Sequence, residues 1–306
     1  MIVLDDLSGG FIDHVPEGTR FIQGSVTDHE LIMKLFTEEK FDYVYHLAAY
    51  AAEGLSHFIR RFNYTNNLIG SINLINEAVK NNVKCFVFTS SIAVYGSGQL
   101  PMTEVMVPSP EDPYGISKFA VELDLHAAHS MFGLNFIIFR PHNVYGENQN
   151  IGDRYRNVIG IFMNQIMQGK PMTIFGDGTQ TRAFSYIDDV APYISRSVTT
   201  SDAINQTINI GADRPYSVKT LAEIIAAQFA ITPNIEYLPP RNEVLNAYAD
   251  HSKAYRIFNI QNTVPLNEGV KQMADWARKV GVRKGQVFHN IEVSKNMPAS
   301  WKSVIE

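Results

Sequence analysis

Tyr114 and Lys118 stand four residues apart in Pro113-Tyr114-Gly115-Ile116-Ser117-Lys118, a spacing that places both side chains on one face of a helix. Pro113 suits the first turn of such a helix, where its missing N–H has no partner to lose. An ammonium beside a phenol favours the phenolate and lowers the tyrosine's pKa toward neutrality, as a general base acting on a hydroxyl requires. Alone the pair is a weak signal, because surface helices bring such residues together by chance. Thr89-Ser90-Ser91 adds to it, directly after the apolar run Lys84-Cys85-Phe86-Val87-Phe88. Hydroxyls at strand ends are often plain turn chemistry, but in an open parallel sheet the carboxyl ends of the strands face the ligand crevice. Ser91, Tyr114 and Lys118 then form a Ser/Tyr/Lys arrangement suited to proton removal from a substrate hydroxyl.

The elements that must carry these residues follow from short apolar runs alternating with helix-period segments, the pattern of a parallel sheet covered by helices. Strands are expected at Ile2 to Leu4, Arg20 to Gln23, Tyr43 to His46, Lys84 to Thr89 and Phe136 to Phe139, with helices at Asp28 to Glu38, Ser56 to Asn81 and Pro113 to Met131. After Arg140 the rhythm loosens into Gly-, Asn- and Asp-rich loops. Short strands are read near Met172 to Phe175 and Thr207 to Ile210, with helices near Val158 to Gln168, Val218 to Phe229 and Asn267 to Val280 and a weakly patterned tail beyond. The expected fold class is α/β, a doubly wound parallel sheet with a smaller α+β substrate lobe. Residues 1–143 form the cofactor domain and 144–306 mainly the lobe, with some segments returning to the sheet.

Composition narrows the function classes. At 306 residues with 45% hydrophobic and 19% charged side chains, the chain can bury a large core in one big domain or two. The 26 basic and 31 acidic residues form no basic cluster, so nucleic acid and membrane surfaces are not expected partners. Cys85 is the only cysteine, which excludes an internal disulfide and fits a cytoplasmic location. Met1-Ile2-Val3-Leu4-Asp5-Asp6 resembles neither a signal peptide nor an anchor. No histidine, cysteine or carboxylate spacing suggests a metal.

Further segments agree in order and spacing: Leu4-Asp5-Asp6-Leu7, His46-Leu47-Ala48-Ala49, Ser90 to Gly96, Arg140-Pro141-His142-Asn143-Val144-Tyr145-Gly146, Phe175 to Arg182 and Tyr186 to Val190. As an ordered set with Tyr114 and Lys118 they resemble the extended short-chain dehydrogenases/reductases that act on nucleotide sugars, whose sheet is Rossmann-like. The resemblance runs to about Val280 and implies NAD as cofactor. It makes Ser91 the catalytic hydroxyl, Tyr114 the acid/base, and Lys118 the ligand of the nicotinamide ribose that tunes the tyrosine. Asp5 matches the acid that holds adenosine ribose hydroxyls and favours NAD over NADP. His46, Val26 and Asn67 match cofactor-side positions, although for a lone histidine such as His46 packing near the cofactor outweighs a catalytic role. On the substrate side, Asn143 matches a residue at the diphosphate, and Arg182 and Arg241 match phosphate-binding arginines, a role suited to a forked guanidinium.

Two departures bear on these expectations. Ser25, in Gly24-Ser25-Val26, replaces the family's adenine-contacting acid. The family's Gly-x-x-Gly-x-x-Gly turn should precede Asp5 by roughly twenty residues, whereas four precede it here. The expectation is a sheet lacking its first strand, in a chain that is a fragment or begins at an internal methionine of a longer frame. Ile92 and Ala93 follow Ser91 where sugar 4,6-dehydratases carry Asp-Glu, and neither can transfer protons. The pattern is therefore most like UDP-glucose/UDP-galactose and UDP-glucuronate 4-epimerases, implying a UDP-sugar substrate and a homodimer. The alternatives are another nucleotide-sugar epimerase or reductase, or a catalytically silent nucleotide-sugar-binding module.

Overall fold

The computed structural model describes residues 1–241, 243–285 and 288–302. Ile2–Asp5 (β1) and Arg20–Gln23 (β2) pair in parallel, with Ile2 opposite Arg20 and Asp5 opposite Gln23. Tyr43–His46 (β3), Cys85–Thr89 (β4) and Phe136–Pro141 (β5) join the strand Gln206–Ile210 in a second, all-parallel sheet, ordered Gln206–Ile210, β5, β4, β3. The five strands expected before residue 143 are all present, in two groups.

β4 shows why the central strands read as unbroken apolar runs. Phe86 and Phe88, with Phe136 and Ile138 of β5, face a layer formed by His29–Glu39 (α1), Gly70–Lys80 (α2) and Pro113–Phe132 (α3). Cys85, Val87, Ile137 and Phe139 face the opposite layer, against Ile194, Ala254 and Phe258. Both faces are buried, so alternation would leave a polar row in the core. Segments beyond residue 143 thus return to the sheet: Gln206–Ile210 as its edge strand, Ser252–Phe258 as a covering helix.

α1 begins where the Asp28 carboxylate accepts from Leu31 N at 3.0 Å, capping an orphan amide of the first turn. α3 is fixed at both ends. Asp112 accepts from Gly115 N at 2.9 Å, and Gly133 closes the helix at φ 77° with its N–H on His129 O.

The single helix expected from Ser56 to Asn81 is broken. A turn at Glu53–Ser56 is followed by Arg60–Tyr64, a π-turn at Thr65–Ile69, and then α2. Ile59 leaves helical geometry at φ −134°. The new helix start is capped from far along the chain, where the Glu292 carboxylate accepts from Arg61 N at 2.7 Å and Phe62 N at 2.8 Å.

The smaller lobe packs Val158–Met167, Val218–Gln228 and Leu266–Val280 around Phe162, Met163, Leu221, Ile225 and Met273. Its strand Thr181–Ala183 lies between Pro215–Ser217 and Asn246–Ala247. The segment read as a weakly patterned tail is partly core. Met297 and Trp301 bury against Ala52, Leu55 and Ile59, while Gln286, Val287 and residues 303–306 lie outside the described residues.

Candidate active site

At the carboxyl end of β4 the chain turns sharply. Ser91 is extended, at φ −164°, and its Oγ accepts from Ala93 N at 3.1 Å, capping the short turn Ile92–Tyr95. Gly115, one residue after Tyr114, lets the first turn of α3 press against that turn. A Cβ there would lie 2.6 Å from Ala93 O and 3.0 Å from Pro110 Cβ, so the close approach requires glycine. The result sets the Tyr114 phenol on the same side of the fold as the Ser91 hydroxyl. Both line one cavity of about 420 Å³, together with Glu53, Asp112, His142, Asn143 and Arg182.

Lys118, one turn along α3, is buried behind them. Its Nζ donates to Thr89 O at 2.7 Å and lies 4.6 Å from the Phe88 ring centre and 5.9 Å from that of Tyr114. Burial lowers its pKa to about 7, against the pull of Glu122. The expected lowering of the Tyr114 pKa is corrected by the geometry: burial raises it, and the charges of Glu53 and Asp112 add to that, while the Ser91 hydrogen bond and the charge of Arg156 oppose it. A phenolate in so dry a place needs more positive charge than one ammonium supplies.

On the opposite wall, Asn143 sits at φ 40° and donates from Nδ2 to Ala183 O at 3.1 Å. Arg182, in the strand Thr181–Ala183, donates from Nη1 to the Thr181 and Leu245 carbonyls at 2.9 and 2.8 Å. Arg182 and Arg241 share one counterion, with Glu243 Oε2 3.5 Å from the former and 3.0 Å from the latter. Arg241 lies over Phe175 at 4.7 Å and beside Trp301 at 5.8 Å, and its buried Nε has no hydrogen-bond partner. The two arginines are thus brought together as the sequence predicts.

Three residues expected on the cofactor side have side chains engaged within the protein. Asn67 is buried, with Oδ1 accepting from Tyr50 N at 2.7 Å and Nδ2 donating to Tyr50 O at 3.1 Å and Asn63 Oδ1 at 2.8 Å. All its polar groups fasten the loop after β3, so it shapes the crevice without reaching it. His46 bonds Ser71 Oγ at 2.7 Å and stacks on Phe88, and burial lowers its pKa to about 3, helped by Lys118; it is a neutral packing residue. Val26 packs against Gly70, and its carbonyl accepts from Asn73 at 3.0 Å. Asp5 stands exposed at the carboxyl end of β1, one oxygen accepting from Leu7 N at 2.7 Å.

Several lining residues escaped the sequence reading. Asp112 carried a signal, an acid before proline at a helix start. His142 heads a buried chain that had none: its Nδ1 donates to Ala183 O at 3.0 Å, its Nε2 lies 3.1 Å from His251 Nε2, and His251 Nδ1 donates to Asp213 Oδ1 at 2.5 Å. Burial and the charge of His251 lower the His142 pKa to about 3. Ser90 Oγ, Gln149 Oε1 and Asn157 Oδ1 line the cavity as buried atoms without hydrogen-bond partners, and such atoms are costly unless a ligand satisfies them. Among the described residues no cluster of three or more His, Cys, Asp or Glu could hold a metal.

Ser91 and Tyr114 share a cavity at the carboxyl end of β4 with Asn143 and Arg182, and Lys118 lies buried behind them. Residues 1–211 match the NAD dependent epimerase/dehydratase family. The chain belongs to that family. A UDP-glucose 4-epimerase of Mycolicibacterium smegmatis is 29% identical over 286 residues, 91% of this chain and 90% of the relative. The UDP-glucose 4-epimerase of Thermotoga maritima, solved with UDP-glucose, is similar at TM-score 0.85 and 31% identity, over 91% of each chain. The UDP-glucuronic acid 4-epimerase of Bacillus cereus, solved with UDP-glucuronic acid and NAD, reaches 0.82 at 26% identity, again over 91% of each. The Rossmann-like α/β reading and the extended short-chain dehydrogenase resemblance are both borne out, with NAD as the family's cofactor. In this structure Tyr114 and the unpartnered Ser90 hydroxyl line one cavity with Lys118 buried nearby, and Asp5 ends β1 exposed, one of its two carboxylate oxygens on Leu7 N.

Proposed function

We propose that this protein inverts C4 of a UDP-sugar through a transient 4-keto intermediate. The observation that carries the reading is that Ser91 and Tyr114 line one cavity, walled by Asn143 and Arg182. Ile92 and Ala93 line the same cavity and offer no acid or base for eliminating water from the sugar.

NAD, when bound, supplies the acceptor for the C4 hydride and its return. Tyr114 removes the proton of the sugar 4′-hydroxyl and gives it back to the ketone oxygen, while Ser91 holds that oxygen by a hydrogen bond. Lys118, buried behind the phenol with its Nζ 5.9 Å from the Tyr114 ring centre, binds ribose. Asn143, Arg182 and Arg241 hold the diphosphate, so the keto-sugar can swing and present its other face without leaving. The cofactor domain is residues 1–143, and the remainder chiefly holds the nucleotide sugar.

Exposed Ile116 and Leu123 on α3, with Ile69 just before α2, support a homodimer built on those helices. No helix among the described residues is long and apolar enough to cross a membrane, and the lone buried Cys85 supports a cytoplasmic location. The test is a panel of UDP-, dTDP- and GDP-sugars offered to the parent protein and to Tyr114→Phe. The proposal expects C4 epimers of a UDP-sugar from the parent and a loss of turnover of about 100-fold or more in the variant, with UDP affinity retained. Unchanged turnover in Tyr114→Phe, or a 4-keto-6-deoxy product, would overturn it.

A further inference from the structure

Beyond the last long helix, Leu266–Val280, the chain touches the smaller lobe and the cofactor side in turn. On the lobe, Arg283 N donates to Asn164 Oδ1 at 3.1 Å and Arg283 O accepts from Asn164 Nδ2 at 3.0 Å. At the broken helix before α2, Glu292 N and Val293 N donate to Phe58 O at 2.9 and 3.2 Å, and the Glu292 carboxylate accepts from the amides of Arg61 and Phe62. Trp301 then enters between the two parts, 6% exposed. Its ring makes edge contacts with Phe58 on one side and with Tyr155 and Phe175 on the other, at 6.1, 5.4 and 6.1 Å between ring centres.

There the indole meets Arg241. The guanidinium carbon lies 4.7 Å from the Phe175 ring centre and 5.8 Å from that of Trp301, and the two rings, at 77° to one another, form a corner around it. Gly54, next to Glu53 of the cavity wall, closes the corner: a Cβ on Gly54 would lie 3.4 Å from the indole Cη2 and 3.7 Å from Arg241 Nη1. Arg241 Nε is buried, while the side chain as a whole keeps 29% of its surface exposed. What it offers a ligand is therefore its Nη edge. A guanidinium on a long flexible stem loses rotamer freedom when it is fixed, and an aromatic face can set its plane without using up its N–H groups.

Resting on the nucleotide-sugar reading above, we infer that Trp301 is a positioning residue for the substrate: it holds the Arg241 guanidinium in the plane from which its Nη edge donates to a diphosphate oxygen. The carboxyl-terminal segment is thereby part of the nucleotide site. Arg182 needs no such support, because its Nη1 is pinned by the Thr181 and Leu245 carbonyls. Arg241 has Glu243 Oε2 on Nη2 at 3.0 Å, and that oxygen is shared with Arg182. The rings fix what the shared carboxylate leaves free to turn.

The experiment is calorimetric titration of the full chain with UDP, for the parent, Trp301→Phe, Trp301→Leu, Arg241→Met and the double variant Trp301→Leu with Arg241→Met, with urea midpoints measured alongside. Phe and Leu both shorten the side chain and keep it apolar, but only Phe keeps a ring face for the guanidinium. Trp301→Leu is expected to weaken UDP binding about fivefold or more, and Trp301→Phe to restore most of that loss. The double variant should bind UDP no more weakly than Arg241→Met, because a residue that acts through Arg241 then has nothing to act on. A Trp276→Phe chain leaves Trp301 as its one tryptophan and probes the same point in an unaltered site, where UDP should change the Trp301 emission. UDP affinity unchanged in Trp301→Leu, equal losses in the Leu and Phe variants, losses that add in the double variant, or bound UDP with unchanged emission would overturn the inference and leave the nucleotide-sugar reading in place. If Arg241→Met binds UDP as the parent does, Arg241 holds no phosphate and the inference fails, with Arg182 and Asn143 still carrying that reading. If the parent does not bind UDP, the reading falls and the inference with it.

Discussion

Replacing Glu122 by leucine should destabilise the protein more than replacing Glu122 and Arg140 together. Arg140 reaches across from β5 to α3, its Nε 3.0 Å from Glu122 Oε1 and its Nη2 2.5 Å from Oε2. The side chains are 5% and 3% exposed, so neither charge has water to fall back on. Nη1 also donates to the Tyr95 hydroxyl at 2.8 Å, which donates in turn to Asn209 Oδ1 at 2.7 Å. Glu122 therefore holds the Arg140 pKa above its ordinary value despite burial. Glu122→Leu leaves a guanidinium uncompensated in the core, a loss of about 3–5 kcal/mol. Glu122→Leu with Arg140→Met removes both charges and keeps the volume roughly filled, so it should lose less than either single change. The assay is urea unfolding of the four proteins, with the midpoint of the Glu122→Leu variant expected to fall by roughly 1 M or more at unchanged slope. A single variant that loses under about 1 kcal/mol, or a double variant worse than both singles, would refute the reasoning. The pair matters to the site because Glu122 lies one turn beyond Lys118, and Arg140 two residues before His142.

Three further outcomes follow from the same geometry. Because burial lowers Lys118 to about 7 from 10.5, the unfolded chain binds more protons between those values, and stability should rise with pH across that window. Lys118→Met should accordingly unfold at higher urea than the parent near neutral pH, an advantage that shrinks toward pH 10.5 while turnover is lost at every pH. Gly115→Ala, whose Cβ would meet Ala93 O at 2.6 Å, should cost about 1–3 kcal/mol of stability and lower kcat more than UDP affinity, because the strain parts Tyr114 from Ser91. Bonds from His251 and Tyr255 hold Asp213 below the usual carboxylate range, so its contribution is present at neutral pH and lost as pH falls through that lowered value. Asp213→Asn should lose about 1 kcal/mol at neutral pH and nothing in strong acid, as read by thermal melts at both.

The central sheet was legible because burial on both faces writes itself into sequence as runs such as Cys85-Phe86-Val87-Phe88. The start of α3 was legible through Pro113. The break before Arg60 was not, since its cap, Glu292, lies 231 residues away, and periodicity carries no record of so distant a partner. Ser91, Tyr114, Lys118, Asn143, Arg182 and Arg241 could be named from motif spacing; four of them line one cavity, with Lys118 buried behind it and Arg241 sharing Glu243 with Arg182. Asn67, His46 and Val26 stand at the matching positions, but their polar groups or side chains are spent on the protein itself, which spacing cannot reveal. Glu53 and the His142–His251–Asp213 chain had no local signal, because each depends on which loops the tertiary fold brings to one wall. The direction of the Tyr114 shift was misjudged for the same reason: a neighbouring ammonium is visible in the sequence, the depth of the pocket is not.

The most direct test of the account is to incubate the protein with a UDP-hexose in deuterium oxide and follow C4 by NMR. If the C4 hydrogen leaves as hydride and returns to the opposite face while Tyr114 handles only the oxygen's proton, the C4 epimer will accumulate with ordinary hydrogen still at C4. Deuterium at C4, or loss of the C6 hydroxyl, would contradict the account.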